Sequence, residues 1–366
     1  MNKIVVIGGH LTPALALVEE LEGDQKFQII FFGRKHATQG TKNLSAEYKI
    51  VSSKKIKFYA LSAGRLQRKF TRYTVSSLIL LPFGFLQSIV YLIMVRPKLV
   101  VSFGGYLSTP VVFAAWLLGI DSITHEQTSV PGLANRINSL FVKKVFLTWP
   151  GSQEYFAKDK AEVIGNLVRK SLQDAKKLDP KVKSFLDKSD KLILVTGGNQ
   201  GSHFLNQLIT KSVPSLKNYQ VLHELGTANW GSDHQMAQKA KSPNYLAVEY
   251  LNGQDHGQVL KKASIVVSRS GANTIWEIAY FAKVAILVPL SVSSGNEQLK
   301  NAKILETAGS AIIHHQEGFN QGELLKSVER IFKDYPVFQT KAQSFSKNLS
   351  HNATHKLAIY IKNQLV

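Results

Sequence analysis

The chain has 366 residues, of which 44% are hydrophobic and 19% charged, a balance that suits a globular protein of about two ordinary domains. It contains no cysteine, which excludes disulfides and thiolate metal sites and fits a reducing compartment. The formal net charge of +20 favours anionic partners: nucleic acid, anionic lipid or phosphorylated substrates.

In chain order the elements repeat as strand, glycine turn, helix. "KIVVIGG" reads as a strand running into Gly8 and Gly9. "TPALALVEEL" reads as a helix with Thr12 as N-cap and Pro13 at its first position. His10 lies beside that helix start, where the dipole disfavours an imidazolium. It is either a neutral base or a structural histidine. "FQIIFFG" is the next strand. From Tyr48 to Ile120 there is no Asp or Glu, while Lys49, Lys54, Lys55, Lys57, Arg65, Arg68, Lys69, Arg72, Arg96 and Lys98 supply positive charge. Inside this stretch Val75–Val95 carries no charge at all. It can be a crossover helix packed on a sheet, a helix that also dips exposed apolar side chains into a membrane surface, or a membrane span. Pro82, Gly84 and Gln87 weaken the span. "KLVVSFGG" is another strand, ending at Gly104-Gly105-Tyr106, with a helix expected from about Ser108–Pro110. "SITHEQ" and "KKVFLTWPGS" are short strands with polar ends, the first closing on His125-Glu126-Gln127.

The pattern restarts at Lys191. "KLILVTGGNQG" is a strand entering a glycine turn, and "SHFLNQLITKSV" the helix after it. "YQVLHELG", "YLAVEYL", "ASIVVSRSG" and "VAILVPL" are strands, while "ANTIWEIAYFA" and "GNEQLKNAKILETAG" are helices, the latter closed by Gly309. Two such series predict an α/β protein of two doubly wound, Rossmann-like domains facing a cleft, with a linker between Gly165 and Asp190. In open α/β sheets ligands bind at the carboxyl ends of strands, which is where Gly104–Tyr106 and His125–Gln127 fall.

Two junctions in the second series suit an anion. Gly197–Gly201 lets backbone approach a phosphate at a helix N-terminus, although it is neither a G-x-G-x-x-G nor a Walker loop. A plain tight turn is the alternative. Ser268–Glu277 is a second strand–glycine–helix junction, and Glu277 is either solvated surface or a carboxylate placed for ribose hydroxyls. No D-x-D motif or His/Asp metal cluster stands out, which disfavours a metal-dependent sugar transferase. His351 and His355 read as surface histidines. No zinc module, aromatic RNA-binding strand or helix-turn-helix supports a nucleic-acid partner.

Taken together, "GGHLTPALAL", "SFGGYLSTPVVFAAWLLGI", "HEQTSVPGLANR", "GNLVRK", "TGGNQGSHFLNQ", "SRSGANTIWEIA" and "NEQLKNAKILETAGSA" resemble the MurG family in order and spacing over nearly the whole chain. These are peripheral-membrane glycosyltransferases of the GT-B fold. The resemblance implies a division into 1–164 with a C-terminal helix at about 342–366, binding acceptor and membrane, and 165–341, binding the UDP-sugar donor. It implies inverting transfer of GlcNAc from UDP-GlcNAc to the muramoyl C4 hydroxyl of lipid I, giving lipid II, with no metal and no cofactor, at the cytoplasmic face of the cell membrane. By position, Glu277 would hold the ribose, and the backbone of Leu251 would face the uracil. Ala272, Asn273, Thr274, Asn199 and Arg169 would handle the diphosphate, and Gln298 the sugar. Gly8, Gly9, Tyr106, Thr128 and Asn135 would face the acceptor, with His10 or Glu126 as the base. Arg65, Arg68, Lys69 and Arg72, with the apolar segment after them, would dock on anionic lipid. The sequence departs from the family pattern in a first glycine loop about three residues shorter, and at Asn199, Thr128, Leu167 and Glu297. The short loop leaves open a related UDP-sugar transferase acting on a different lipid.

Overall fold

The computed structural model describes residues 1–36, 44–62, 72–173, 178–188, 190–291 and 296–365, with the backbone alone for Ala46 and for 72–81. The chain divides into two compact units, Met1–Arg169 with Asn352–Val366, and Lys170–His351.

The first unit is built on a parallel sheet of seven strands: β1 (Asn2–Ile7), β2 (Phe27–Gly33), β3 (Lys57–Ala60), β4 (Leu99–Ser102), β5 (Asp121–Glu126), β6 (Lys144–Leu147) and β7 (Ala161–Val163). Their order is β3-β2-β1-β4-β5-β6-β7, so the chain reverses its direction of travel between β1 and β4. Strand β1 is apolar on both faces because helices cover both. Ile4 and Val6 point into a core with α1 (Leu11–Leu21), α2 (Ala46–Ser53) and α15 (Ala353–Leu365). Val5 and Ile7 point into another with α3 (Arg72–Val95) and α4 (Ser108–Leu117). Burying each of Leu15, Leu17 and Val18 of α1 contributes roughly 1.5–3 kcal/mol. The C-terminal α15 is tied to the same layer: Asn2 Nδ2 donates to the Leu365 carbonyl at 2.8 Å, and Lys362 pairs with Asp24 at 2.9 Å.

Helix α1 begins at Leu11 with His10 as N-cap, two residues before the expected Thr12 cap. Pro13 is tolerated at the third position, because the N–H groups of the first turn have no partner within the helix. Helix α3 is the crossover from the edge strand β3 back to β4. Its buried face carries Gly84, Ser88, Leu92 and Val95. Phe83, Leu86, Val90, Ile93 and Met94 form the opposite stripe, each at least half exposed. Among the described residues no helix is long and apolar enough to cross a membrane. Arg65, Arg68 and Lys69 lie outside the described residues, as does the side chain of Arg72.

The second unit repeats the plan. Its six parallel strands are β8 (Leu192–Thr196), β9 (Gln220–Glu224), β10 (Tyr245–Val248), β11 (Ile265–Ser268), β12 (Val284–Leu287) and β13 (Ala311–Ile313), ordered β10-β9-β8-β11-β12-β13. The reversal falls between β8 and β11. Helices α8 (His203–Ser212) and α13 (Gln321–Lys333) close one face over Ile193, Val195, Val267 and Ile286. Helices α9 (Asp233–Lys239), α10 (Gly253–Lys262), α11 (Ala272–Tyr280), α12 (Glu297–Thr307) and α14 (Tyr335–Lys347) complete the unit. The expected linker is not an open connection. From Lys170 onward it forms α6 (Lys170–Gln173) and α7 (Pro180–Leu186), and Leu172 is fully buried. A side chain at Gly257 of α10 would strike the backbone of Leu172, so glycine there lets the two helices meet.

Candidate active site

In each unit the loops at the reversal point lie where an open α/β sheet binds its ligand. In the first unit these are the turns after β1 and β4. They touch backbone to backbone: a Cβ on Gly9 would collide with the Gly104 carbonyl, and one on Gly105 would lie 2.7 Å from the Gly9 Cα. Gly104 and Gly105 also take φ of +74° and +76°, which favours glycine. Tyr106 follows, half-buried, with the Arg34 guanidinium 6.0 Å from its ring centre.

The next loop is organised by Glu126, the last residue of β5. Its Oε1 accepts from the Thr128 backbone N–H at 2.8 Å and from the Thr128 hydroxyl at 2.6 Å. Its Oε2 accepts from Gly132 N–H at 3.1 Å and from Asn135 Nδ2 at 2.9 Å. Asn135, on α5 (Leu133–Asn138), also donates to the His125 carbonyl and accepts from the Thr124 hydroxyl. Glu126, Thr128 and Asn135 are all buried, and their polar groups are spent on one another. His10 differs. Its imidazole makes no hydrogen bond to a described residue, and burial of the ring lowers its pKa against the opposing pull of the Glu126 carboxylate. Among the first unit's expected site residues it alone has a neutral nitrogen available to take a proton.

In the second unit the loops after β8 and β11 frame the reversal. Gly198 and Gly201 take φ of +79° and +81°, and Asn199 stands exposed between them. The Asn199 carbonyl accepts from Thr227, so its amide side chain is directed by a loop fixed at its backbone. Arg269 does not serve as a free cation. It bridges Ser202, the Val288 carbonyl and Gln316, holding three loop ends together. Helix α11 starts at Ala272 with Gly271 as N-cap, so no side chain caps its first turn, and no acidic residue lies there. Glu277 stands three and four residues beyond Thr274 and Asn273, on the same helix face. Gln298, second in α12, accepts from the Leu290 N–H at 2.9 Å. Arg169 is the last residue of the first unit, and its Nε is buried without a hydrogen-bond partner. Leu167 beside it is a core residue.

Two residues that the motifs passed over complete the second unit's arrangement. Glu224 ends β9 as Glu126 ends β5, and each follows a fully buried histidine, His223 and His125. This repeated strand-end His-Glu pair is the signal that could have found it. His256, on α10, lies between Glu224 at 3.6 Å and Glu277 at 3.4 Å. Burial opposes its charge, but the two flanking carboxylates outweigh that and push its pKa up to about 10. Glu224 also accepts from the Leu251 N–H at 3.0 Å and from the Thr196 hydroxyl at 2.8 Å. The Leu251 N–H is therefore taken, and its carbonyl is the backbone group left to face a base. Among the described residues no group of three or more His, Cys, Asp or Glu is placed to hold a metal ion.

Residues 7–147 match the N-terminal domain of glycosyltransferase family 28, and residues 192–357 match its C-terminal domain. A UDP-N-acetylglucosamine–N-acetylmuramyl-(pentapeptide) pyrophosphoryl-undecaprenol N-acetylglucosamine transferase from Clostridium kluyveri is 31% identical over 364 residues, covering 98% of each chain. Among solved structures, MurG of Acinetobacter baumannii superposes with a TM-score of 0.71 at 22% identity, over 99% of this chain and 100% of that one. A UDP co-structure of MnaA from S. aureus superposes with a TM-score of 0.70 at 16% identity, over 100% of this chain and 97% of that one.

Proposed function

The chain belongs to the MurG family of undecaprenol-linked N-acetylglucosamine transferases, and from that premise we propose that it transfers GlcNAc from UDP-GlcNAc to lipid I. The acceptor atom is the C4 hydroxyl of the muramoyl residue, and the product is lipid II for peptidoglycan.

The observation that carries the reading is the junction of β11 and α11. A helix start with no side-chain cap and no acidic residue suits a diphosphate, and a carboxylate on the same face suits the ribose of the same nucleotide. Glu277 takes the ribose hydroxyls, and the Leu251 carbonyl takes a donor on the uracil. The first turn of α11 and Asn199 offset the charge that grows on UDP as it leaves, a task the motif also assigns to the Arg169 guanidinium. Gln298, held by Leu290, contacts the sugar.

His10 is the base. It takes the proton of the C4 hydroxyl as that oxygen attacks the anomeric carbon. The bond from that carbon to the UDP oxygen breaks, and UDP leaves with the electron pair. One displacement inverts the anomeric centre. Glu126 is unsuited to this task because four hydrogen bonds already occupy its two oxygens. It instead fixes Thr128 and Asn135, the floor on which the acceptor rests.

The enzyme works at the cytoplasmic face of the membrane. The outer stripe of α3 (Phe83, Leu86, Val90, Ile93 and Met94), and Trp116 and Leu117 of α4, which packs on α3, are exposed apolar surface. Its chain neighbours Arg65, Arg68, Lys69 and Arg72 supply attraction to anionic headgroups. One observation favours a different lipid acceptor: the turn from β1 to α1 is only Gly8, Gly9 and His10. Purified protein given UDP-GlcNAc and a lipid I analogue tests the choice. The expected product carries one added GlcNAc; transfer to another lipid and not to this one would select the alternative.

A further inference from the structure

The nucleoside carboxylate Glu277 does not stand alone, and what holds it is specific. Its Oε2 faces His256 Nε2 at 3.4 Å, while its other oxygen takes no hydrogen bond from the described residues. The opposite nitrogen, His256 Nδ1, faces Glu224 Oε2 at 3.6 Å. Glu224 is buried, so its carboxylate needs partners, and it has three: His256, the Leu251 N–H and the Thr196 hydroxyl. That hydroxyl in turn accepts from the Gly198 N–H at 3.1 Å. A single polar chain therefore runs from the glycine turn after β8, through Glu224, to the Leu251 backbone on one branch and to Glu277 on the other. All of its members belong to the second unit.

We infer that His256 is the positioning residue of the nucleoside subsite: clamped between Glu224 and Glu277, it fixes Glu277 so that one oxygen is held by the protein and the other is presented to the ribose. The inference rests on the reading of Glu277 as the ribose ligand. The physical case is one of preorganisation. An unclamped glutamate has three rotatable bonds and must give up rotamer freedom on binding. A cation seated between two carboxylates removes that freedom beforehand. The same clamp ties the base-facing Leu251 loop to the ribose carboxylate, so both recognise one nucleotide in one register.

The test uses the full chain and two ligands, UDP and 2′,3′-dideoxyuridine diphosphate, by titration calorimetry. Wild type, His256→Ala, His256→Gln and Glu277→Ala are compared, with a melt of each. The expected result is about a tenfold loss of UDP affinity in His256→Ala, equivalent to about 1.4 kcal/mol. Affinity for the dideoxy ligand stays within about twofold, because the hydroxyls that Glu277 serves are absent. His256→Gln keeps a donor for one carboxylate and falls between; if the alanine variant does not fold, the same two-ligand comparison on the glutamine variant decides. Equal losses for both ligands would mean general damage and overturn the inference. Unchanged UDP binding in His256→Ala, beside a loss in Glu277→Ala, would overturn it while leaving the ribose reading intact. Unchanged UDP binding in Glu277→Ala would overturn the ribose reading itself.

Discussion

His125 and His223 occupy the penultimate positions of β5 and β9, and burial pushes their imidazoles down to about 4 and about 3. Both are neutral at physiological pH, and the stability they lend is lost as pH falls from 6.5 toward those values. Glu47 shows the opposite sign. It is buried beside Gly8 and Gly33, one of its oxygens has no partner, and burial raises its pKa from 4.5 to about 7. Its contribution is complete below pH 4.5 and disappears as pH rises through 7. Glu47→Gln keeps the shape without the charge. It should melt several degrees above wild type at pH 8, at roughly 2–4 °C per kcal/mol, and show no such gain at pH 5. Equal differences at both pH values would contradict the burial of an ionised carboxylate. The histidine effect is common to both proteins and cancels in the comparison.

Backbone contact between two loops sets part of the geometry of the first unit's candidate site. The turns after β1 and β4 meet at Gly9, Gly104 and Gly105, where no Cβ fits. Gly9→Ala must push the Gly104 carbonyl aside, at a cost of about 1–3 kcal/mol. It should lower the melting temperature by several degrees and remove most transfer activity; a variant that melts and transfers like wild type would refute the contact. The strand–glycine–helix order was legible because both faces of each sheet are covered, so strands such as "KIVVI" and "LILV" read as apolar runs ended by glycine. The start of α1 was misread because Pro13 can sit anywhere in a first turn. Helices α6 and α7 were missed because they are short, and what orders them is tertiary: Leu172 of α6 is seated on Gly257, and α7 buries Val182, Phe185 and Leu186, contacts invisible in local pattern. The clamp of Glu224, His256 and Glu277 joins a strand end to two helices far apart in sequence. Only its strand-end His-Glu pair was open to reading, through its repetition at His125-Glu126.

At the scale of the molecule, the basic stretch from Tyr48 to Ile120, which has no Asp or Glu, and the apolar stripe of α3 belong to one unit, and the β11–α11 junction proposed for the nucleotide belongs to the other. That division suits an enzyme whose acceptor is anchored in lipid and whose donor is soluble. Val90→Asp/Ile93→Asp places two charges on the exposed stripe without touching the core. It should reduce flotation with anionic vesicles several-fold at an unchanged melting temperature; undiminished flotation would remove α3 from the docking surface. The central claim is that this chain adds GlcNAc to lipid I with His10 as base. The most direct measurement is the steady-state rate of GlcNAc transfer from UDP-GlcNAc to a lipid I analogue by wild type and His10→Ala. The account predicts a lipid II product from wild type, and a kcat about 10²–10⁴ lower in His10→Ala with KM for UDP-GlcNAc little changed. No product from wild type, or an undiminished kcat in the variant, would contradict it.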